Sequence, residues 1–256
     1  MDQPHTDTLV LDMPEGVLHF NIPPMAGRHR VADIAAALMP FCDAVNDLGA
    51  GIAKQFGKSV SCRAGCGVCC CQMVPLSPPE AVMVNDVITG LPQRHREQAE
   101  AGFADARKKL HDAGLLDRLY ELYSRKSTGE ETLALNRRYF ELGIPCPFLS
   151  GQSCSIHPSR PSRCREYSVM SDPALCANPF ENPVRRLPVT LKLSEALAFA
   201  WASLTRTKPQ FIPLIDAPSW VRANPEAAGL RIEGAQQFMR SVLEFTCAEA
   251  NRRASK

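Results

Sequence analysis

Most apolar residues of the chain recur at helical spacing. Between residues 31 and 52 they follow one another in alternating steps of three and four, which is the spacing of one face of an α-helix. Pro40 lies inside this stretch and predicts a kink or a division of the helix. The apolar positions are Val31, Ile34, Leu38, Phe41, Val45, Leu48 and Ile52.

Further helices follow along the chain. Ser77 is a suitable N-cap, Pro78 suits the first helical position and Glu80 completes a capping box. The helix after this cap has the apolar stripe Val84, Val87, Ile88 and Leu91, and the next two have the stripes Ala99, Phe103, Ala106 and Leu110, and Leu116, Leu119, Tyr120 and Tyr123. A further helix is predicted over Glu131 to Leu142, where Gly143 ends it. Two more follow: one capped by Ser194 with the stripe Leu197, Ala200, Trp201 and Leu204, and a last one from Gly234 to about Arg252 around Phe238, Val242 and Phe245.

Few strands are predicted. Residues 8–11 and 17–22 alternate around the turn signal Pro14-Glu15-Gly16 and predict a hairpin, and Val189 to Leu193 predict a short strand. The predicted fold is therefore mainly α, a single helical domain over 1–256 with a small β-hairpin and an irregular cysteine-rich metal-binding core. In this prediction the cysteine segments 61–72 and 144–179 come together, 77–142 is a helical insertion, and 194–252 forms the C-terminal helices.

Composition and charge narrow the set of possible functions. A net charge of +2 in 256 residues lacks the excess of positive charge that is typical of proteins that bind nucleic acid or membrane surfaces. The chain has neither a secretory signal pattern at Met1 nor an apolar run of about 20 residues. We therefore expect a cytoplasmic protein, in which eleven cysteines are better explained as metal ligands or catalytic thiols than as the alternative, a disulfide framework.

Eight of the cysteines form two groups along the chain. The first group lies within residues 62–70, and the second lies within residues 144–188, a stretch that has no hydrophobic periodicity. Gly65 and Gly67 let the backbone turn tightly within the first group. Eight soft sulfur donors would fill two four-sulfur sites or one polynuclear cluster with spare ligands, so the predicted cofactor is zinc or iron, the latter alone or as an iron–sulfur cluster. The predicted ligands are Cys62, Cys66, Cys69, Cys70, Cys146, Cys154, Cys164 and Cys176.

The roles of several neighbouring residues stay open at this level. Cys69 and Cys70 can serve different metals, bridge two, or include one packing thiol. His157 is either an alternative ligand, a hydrogen-bonding neighbour of one, or an exposed side chain. Cys71 is expected to be a free thiol, whereas Cys42 and Cys247 are expected to be buried small hydrophobes. The nearby arginines are either counter-charges for thiolates or solvated surface residues: Arg63, Arg160, Arg163 and Arg165.

These motifs resemble a bacterial cysteine-cluster family described as a zinc- or iron-chelating domain. The segments that carry the resemblance are 62–70, 146–149 and 154–167, within roughly 61–179. The resemblance implies metal chelation by the cysteines of these segments, with Cys176 joining as in a related subgroup. His157 and Cys71 depart from the family pattern, which usually has tyrosine and a non-cysteine residue there.

Three functions remain open. The first is an iron–sulfur protein with a redox or catalytic role, and the second is a structural zinc protein that binds an unidentified protein partner. The third, protein-lysine methyl transfer, is implied by the family alone, since it includes proteins resembling flagellin lysine N-methylase. The spacing of Cys62, Cys66 and Cys69 also resembles radical S-adenosylmethionine enzymes, but the helical pattern disfavours their barrel architecture. The sequence does not decide whether the chain is an enzyme.

Overall fold

Helices form the larger part of the structure, which confirms the mainly α class. The computed structural model describes residues 7–124 and 128–255, and for residues 123 and 124 it describes the backbone only. The predicted stripe residue Tyr123 therefore has a side chain outside the described residues. The helices are α1 (Val31–Gln55), α2 (Pro78–Gly90), α3 (Gln93–Asp112), α4 (Leu116–Ser124), α5 (Gly129–Glu141), α6 (Ser162–Glu166), α7 (Leu193–Thr205), α8 (Ala217–Ala223), α9 (Pro225–Gly229) and α10 (Ala235–Ala254).

The strands pair in four small antiparallel sheets. They are β1 (Asp7–Met13) with β2 (Gly16–Ile22), β3 (His29–Arg30) with β8 (Arg231–Ile232), β4 (Pro75–Leu76) with β7 (Ile212–Pro213), and β5 (Leu149–Ser150) with β6 (Ser153–Cys154). The predicted hairpin is confirmed as β1 and β2, with Met13 opposite Gly16. Gly16 has a φ of +123°, which a residue with a side chain rarely adopts, so glycine suits this turn.

Helix α1 packs against the hairpin, against α2 and against the C-terminal helix α10, which also contacts the hairpin directly. Its predicted apolar face is buried, with Ile34, Leu38 and Phe41 each 0% exposed. The helix runs through Pro40 without ending, so the predicted alternative of a division at Pro40 is wrong and that of a kink stays a prediction. The hairpin, α1, α7 and α10 share one apolar cluster, while α2 to α5 and α8 contribute to a second.

The predicted strand over Val189 to Leu193 is wrong. Leu193 begins α7, and the cap position belongs to Lys192 rather than to Ser194. The physical reason is that two backbone N–H groups of this segment donate to carboxylates, and the Val189 N–H donates to the nearby Leu187 carbonyl, rather than to a neighbouring strand. Thr190 donates its N–H to Glu15 at 2.6 Å, and Leu193 donates its N–H to Glu166 at 2.9 Å.

The stretch over 144–188 is irregular, as predicted, but it contains short elements that periodicity did not indicate. These are β5, β6, α6 and two 3-10 turns, His157–Ser159 and Pro173–Ala177. Helix α6 carries Cys164, and the second turn carries Cys176. Helices α2 to α5 lie between the two cysteine segments along the chain. None of the helices among the described residues combines the length and the apolar character needed to cross a lipid bilayer.

Candidate metal centre

Both cysteine segments line one cavity of about 590 Å³. The walls come from residues near 60–76, from the irregular stretch 146–192, and from parts of α5 and the segment before α8. Cys71 is not part of this lining. All of the predicted ligands are in it: Cys62, Cys66, Cys69, Cys70, Cys146, Cys154, Cys164 and Cys176.

The two cysteine segments touch each other directly. The N–H of Cys146 donates to the carbonyl oxygen of Cys70 at 2.6 Å. Gly67 packs so closely on the β5–β6 turn that an added Cβ would lie 2.5 Å from Leu149 Cδ1 and 3.1 Å from the Gln152 carbonyl oxygen. Glycine is therefore required at 67 by the closeness of the second segment.

Replacing Gly67 with alanine is expected to push the two segments apart. Leu149 can move, but the Gln152 carbonyl belongs to the backbone, so the turn must shift by a few tenths of an ångström. We expect a loss of about 1–3 kcal/mol of unfolding free energy, measured by urea denaturation.

Gly51→Ala is the matched control because the added Cβ at 51 meets nothing within 4 Å and the residue lies in α1. Alanine is the better helix former, so this variant is expected to be neutral or up to about 1 kcal/mol more stable. Equal destabilisation by both variants would show that contact at Gly67 is not what matters.

A second set of backbone contacts positions Cys62. The N–H of Ser61 donates to the Val169 carbonyl at 2.8 Å, and the N–H of Val169 donates to Cys62 Sγ at 3.3 Å. On its other side Val169 forms an isolated antiparallel bridge with Arg186. The donated N–H stabilises negative charge on the Cys62 sulfur, as it would for a metal-bound thiolate.

Mutual electrostatic effects divide the thiols into two groups. Burial raises the pKa of Cys164 well above its ordinary value, and charge on Cys146, Cys69 and Cys154 raises it further. Burial likewise raises the pKa of Cys176, followed by charge on Cys69, Cys62 and Cys66. One group therefore contains Cys62, Cys66 and Cys176, and the other contains Cys146, Cys154 and Cys164.

Cys69 and its neighbour Cys70 lie at the boundary between these groups. The side-chain hydrogen bond with Cys70 is the main cause that raises the pKa of Cys69, ahead of burial. Charge on Cys69 acts on members of both groups, including Cys62 and Cys146.

Burial disfavours the charged form of several thiols in the cavity. Burial raises the pKa of Cys146 to about 12, and burial is also the main cause that raises the pKa of Cys62 and of Cys154. A thiol must lose its proton to bind a metal, so uptake of a cation would release protons here.

In the parts of the chain that the structure describes, no three histidine, cysteine, aspartate or glutamate side chains form a group ready to hold a metal ion. Around a tetrahedral ion with metal–sulfur bonds of about 2.3 Å, the sulfurs would lie about 3.8 Å apart. Metal held by four thiols of the cavity would require their sulfurs to take up this spacing.

Arg160 is the arginine that acts most widely on the thiols. As a lesser cause beside burial, its charge lowers the pKa of Cys62, Cys69, Cys154 and Cys164. Its Nε donates to the His157 carbonyl at 3.1 Å, which fixes the position of the guanidinium. Arg63 and Arg163 line the cavity as well, Arg63 as an exposed side chain and Arg163 paired with Glu166 at 3.0 Å.

Arg165 has a different position from the one predicted. It does not line the cavity, and it is 8% exposed. Its guanidinium donates to the Asp43 carboxylate on α1, to the Pro158 carbonyl and to the Arg160 carbonyl. Arg165 therefore shapes the loop that carries Cys154 and Cys164 and does not offset charge on the sulfurs.

The remaining sequence-predicted residues have distinct positions. His157 lines the cavity but is exposed, and burial lowers its pKa, followed by the charge of Arg160. Cys42 and Cys247 are 0% and 7% exposed, which confirms that they are buried. Cys71 donates its thiol to the Val68 carbonyl at 3.5 Å. All eleven cysteines are free thiols.

Glu80 is a positioning residue whose long-range role the sequence did not indicate. Its carboxylate is 0% exposed and accepts hydrogen bonds from the backbone and hydroxyl of Ser77, at 3.0 and 2.7 Å. It also accepts from the backbone and hydroxyl of Ser162, at 3.0 and 2.6 Å. The capping box indicated only the first pair of bonds, and the second pair anchors the helix that carries Cys164.

Sequence reasoning did not identify Tyr167 as a residue of the site, although Tyr167 is the last residue of segment 154–167, which carries the family resemblance. It lines the cavity, and its hydroxyl accepts a hydrogen bond from Gln72 at 3.1 Å. The guanidinium of Arg186 lies over its ring, 4.8 Å from the centroid. Neither contact has a local sequence signal, because the partners are far apart along the chain.

Comparison with known proteins gave no match: no family model, no curated protein and no solved structure is significantly similar to the chain. The resemblance to the cysteine-cluster family therefore stays a prediction that depends on the quoted motifs.

Proposed function

We propose that this chain is a metal-binding protein whose thiols, from two distant segments, hold zinc or iron. One observation carries the proposal: every cysteine predicted as a ligand lines the same cavity, while Cys42, Cys71 and Cys247 do not. Buried thiols without a metal would need no such convergence, since cysteines that only fill a core are interchangeable with other small apolar residues.

The chemistry of the donor set fits this proposal. Eight sulfur donors and an exposed imidazole face the cavity, and both zinc and iron–sulfur assemblies favour such ligands. The N–H bond from Val169 to Cys62 Sγ and the charge of Arg160 both stabilise thiolate. A bound zinc would supply structural cross-linking, whereas an iron–sulfur cluster would supply electron transfer or activation of a small molecule.

We infer two centres rather than one. Cys62, Cys66 and Cys176 would form one, Cys146, Cys154 and Cys164 the other, and Cys69 and Cys70 would each complete one of them. The support is the number of donors, because the eight thiols that line the cavity would fill two four-sulfur sites. The thiols whose charge raises the pKa of Cys164 also differ, apart from Cys69, from those that raise the pKa of Cys176.

The test is metal analysis of protein purified without oxygen, combined with its visible absorption. With zinc, two ions per chain are expected from four thiols per site. With iron–sulfur clusters, the protein is expected to be brown and to contain iron and acid-labile sulfide. A folded protein that contains no metal after purification without chelators, and takes up none, would contradict the proposal.

Cysteine-to-serine variants test the ligand assignment. Cys62→Ser and Cys164→Ser are each expected to lower the bound metal to about half, because each removes a ligand from one centre only. The matched control is Cys71→Ser, which changes a cysteine next to the ligands but outside the cavity, and full metal content is expected. Loss of metal in the control equal to that in Cys62→Ser would refute the assignment, and complete loss in either ligand variant would refute two independent centres.

A further inference from the structure

The cavity offers more room than metal ions need. Its volume of about 590 Å³ lies within the range of roughly 300–1,000 Å³ that is typical of small-molecule sites. Metal at the thiols would fill the part that the cysteines surround. The remaining wall is formed by other side chains, including Tyr167, Arg186 and Lys192.

This remaining wall is strongly cationic. Arg63, Arg160, Arg163, Arg186 and Lys192 line the cavity, and Glu166 is the one carboxylate in its lining among the described residues. Glu166 pairs with Arg163 at 3.0 Å, and Lys192 lies 3.7 Å from Glu195. Within residues 7–124 and 128–255, the other three arginines form no ion pair.

Two of these unpaired arginines, Arg63 and Arg186, belong to segments that bond to the same central segment of the backbone. Segment 61–63 and segment 185–187 both bond to the segment around Val169, the first through Ser61 and the second through the bridge to Arg186. Arg63 and Arg186 are therefore carried on opposite sides of the same central segment. Both are exposed, so an incoming ligand can reach them.

Two of the guanidinium groups are held in place before any ligand binds. Arg186 is stacked over the Tyr167 ring at 4.8 Å, and Arg160 is fixed by its bond to the His157 carbonyl. A guanidinium fixed by stacking loses less freedom when it binds an anion, and its planar fork matches the oxygens of carboxylate and phosphate groups.

We propose that the cavity binds a small molecule through an oxyanion, a carboxylate or phosphate group, held by Arg160 and Arg186 with Arg63 at the rim. The ligand would lie beside the thiols. Its role as a substrate of the metal centres therefore rests on the proposed function, to which this inference adds the chemical class of the substrate. Contact with the anion itself depends only on the arginines.

The experiment is calorimetric titration of the full-length, metal-analysed protein at low ionic strength with inorganic phosphate and, separately, with succinate. Arg186→Met is expected to weaken binding of the preferred anion at least about tenfold, since it removes a charged hydrogen-bond donor. Arg160→Met is expected to do the same. The control Arg94→Met changes an exposed arginine of α3 outside the cavity and is expected to leave binding unchanged.

The outcomes separate this inference from the proposed function. Tighter binding of phosphate assigns a phosphate-bearing ligand, and tighter binding of succinate assigns a carboxylate. Protein that retains its metal but binds neither anion below about 10 mM overturns this inference alone. Protein that binds an anion through Arg186 but holds no metal overturns the proposed function alone. Equal weakening by Arg94→Met and Arg186→Met also overturns the anion site.

Discussion

Glu80→Ala is expected to lower the free energy of unfolding by about 3–5 kcal/mol. The carboxylate is fully buried and accepts four hydrogen bonds, two from Ser77 and two from Ser162. Alanine would remove the acceptor of the two serine hydroxyls and of the Ser162 N–H, and each buried unsatisfied donor costs about 1–3 kcal/mol, whereas the Ser77 N–H keeps the Ser194 hydroxyl as an acceptor at 3.1 Å. Part of this cost is relieved because the small cavity left behind lets the serine hydroxyls turn to other acceptors.

Urea denaturation of wild type and variant measures the effect. Glu80→Gln is the informative second variant, because the amide keeps one acceptor oxygen and turns its NH₂ group toward one serine's donors, so an intermediate loss is expected. Glu97→Ala is the control. Glu97 is exposed on α3, and its removal is expected to change stability by no more than about 0.5 kcal/mol.

A loss at Glu80 no larger than at Glu97 would show that the buried network does not hold α2 and α6 together. The effect should also extend to the thiols. Ser162 begins α6 and Cys164 lies in it, so Glu80→Ala is expected to weaken metal retention as well as stability.

Arg165→Met is expected to destabilise the protein by about 2–4 kcal/mol. The buried guanidinium joins three parts of the structure: Asp43 on α1, the Pro158 carbonyl and the Arg160 carbonyl. Methionine fills much of the same volume but donates no hydrogen bond, so the two carbonyl groups lose their partner. Asp43 is half exposed, and water can solvate it once the ion pair is gone.

The measurement is again urea denaturation, with amide hydrogen exchange over 154–166 to detect local opening. Faster exchange in this loop is expected even where the rest of the protein stays protected. Lysine at this position would keep the charge, but it cannot reach three acceptors with the fixed geometry of a guanidinium, so Arg165→Lys is expected to rescue only part of the loss.

The control Arg138→Met changes an exposed arginine on α5 and is expected to be near neutral. Unchanged exchange in the loop of Arg165→Met would contradict the positioning role. Rescue of both stability and exchange by Arg165→Lys would show that charge alone, and not the fork of donors, is what the loop requires.

The features that sequence predicted best are those set by local chemistry. The capping box at Ser77 and Glu80, the apolar face of α1 and the hairpin around Gly16 each follow from residues close together along the chain. Convergence of the cysteine segments was a prediction of a different kind. It depended on residue type, since soft donors in an unstructured stretch suggested a shared site, and the common cavity agrees with it.

Sequence failed where a distant side chain decides the local structure. Residues 189–193 alternate like a strand, but the N–H groups of Thr190 and Leu193 donate to the carboxylates of Glu15 and Glu166. Helices α8 and α9 are only seven and five residues long, too short for periodicity to identify. The inward position of Arg165 and the second pair of bonds to Glu80 depend on tertiary packing for the same reason.

The placement of α2 to α5 between the two cysteine segments has a consequence for biosynthesis. When Cys62 to Cys70 leave the ribosome, the partners on the far side of the cavity have not yet been translated. If the thiols hold metal as proposed, neither centre can be completed until this helical region has emerged and folded back, so metal insertion is a late event of maturation. Until then the early thiols are exposed to oxidants in the nascent chain, and a delivery factor or a prompt closure of the helices would shorten that interval.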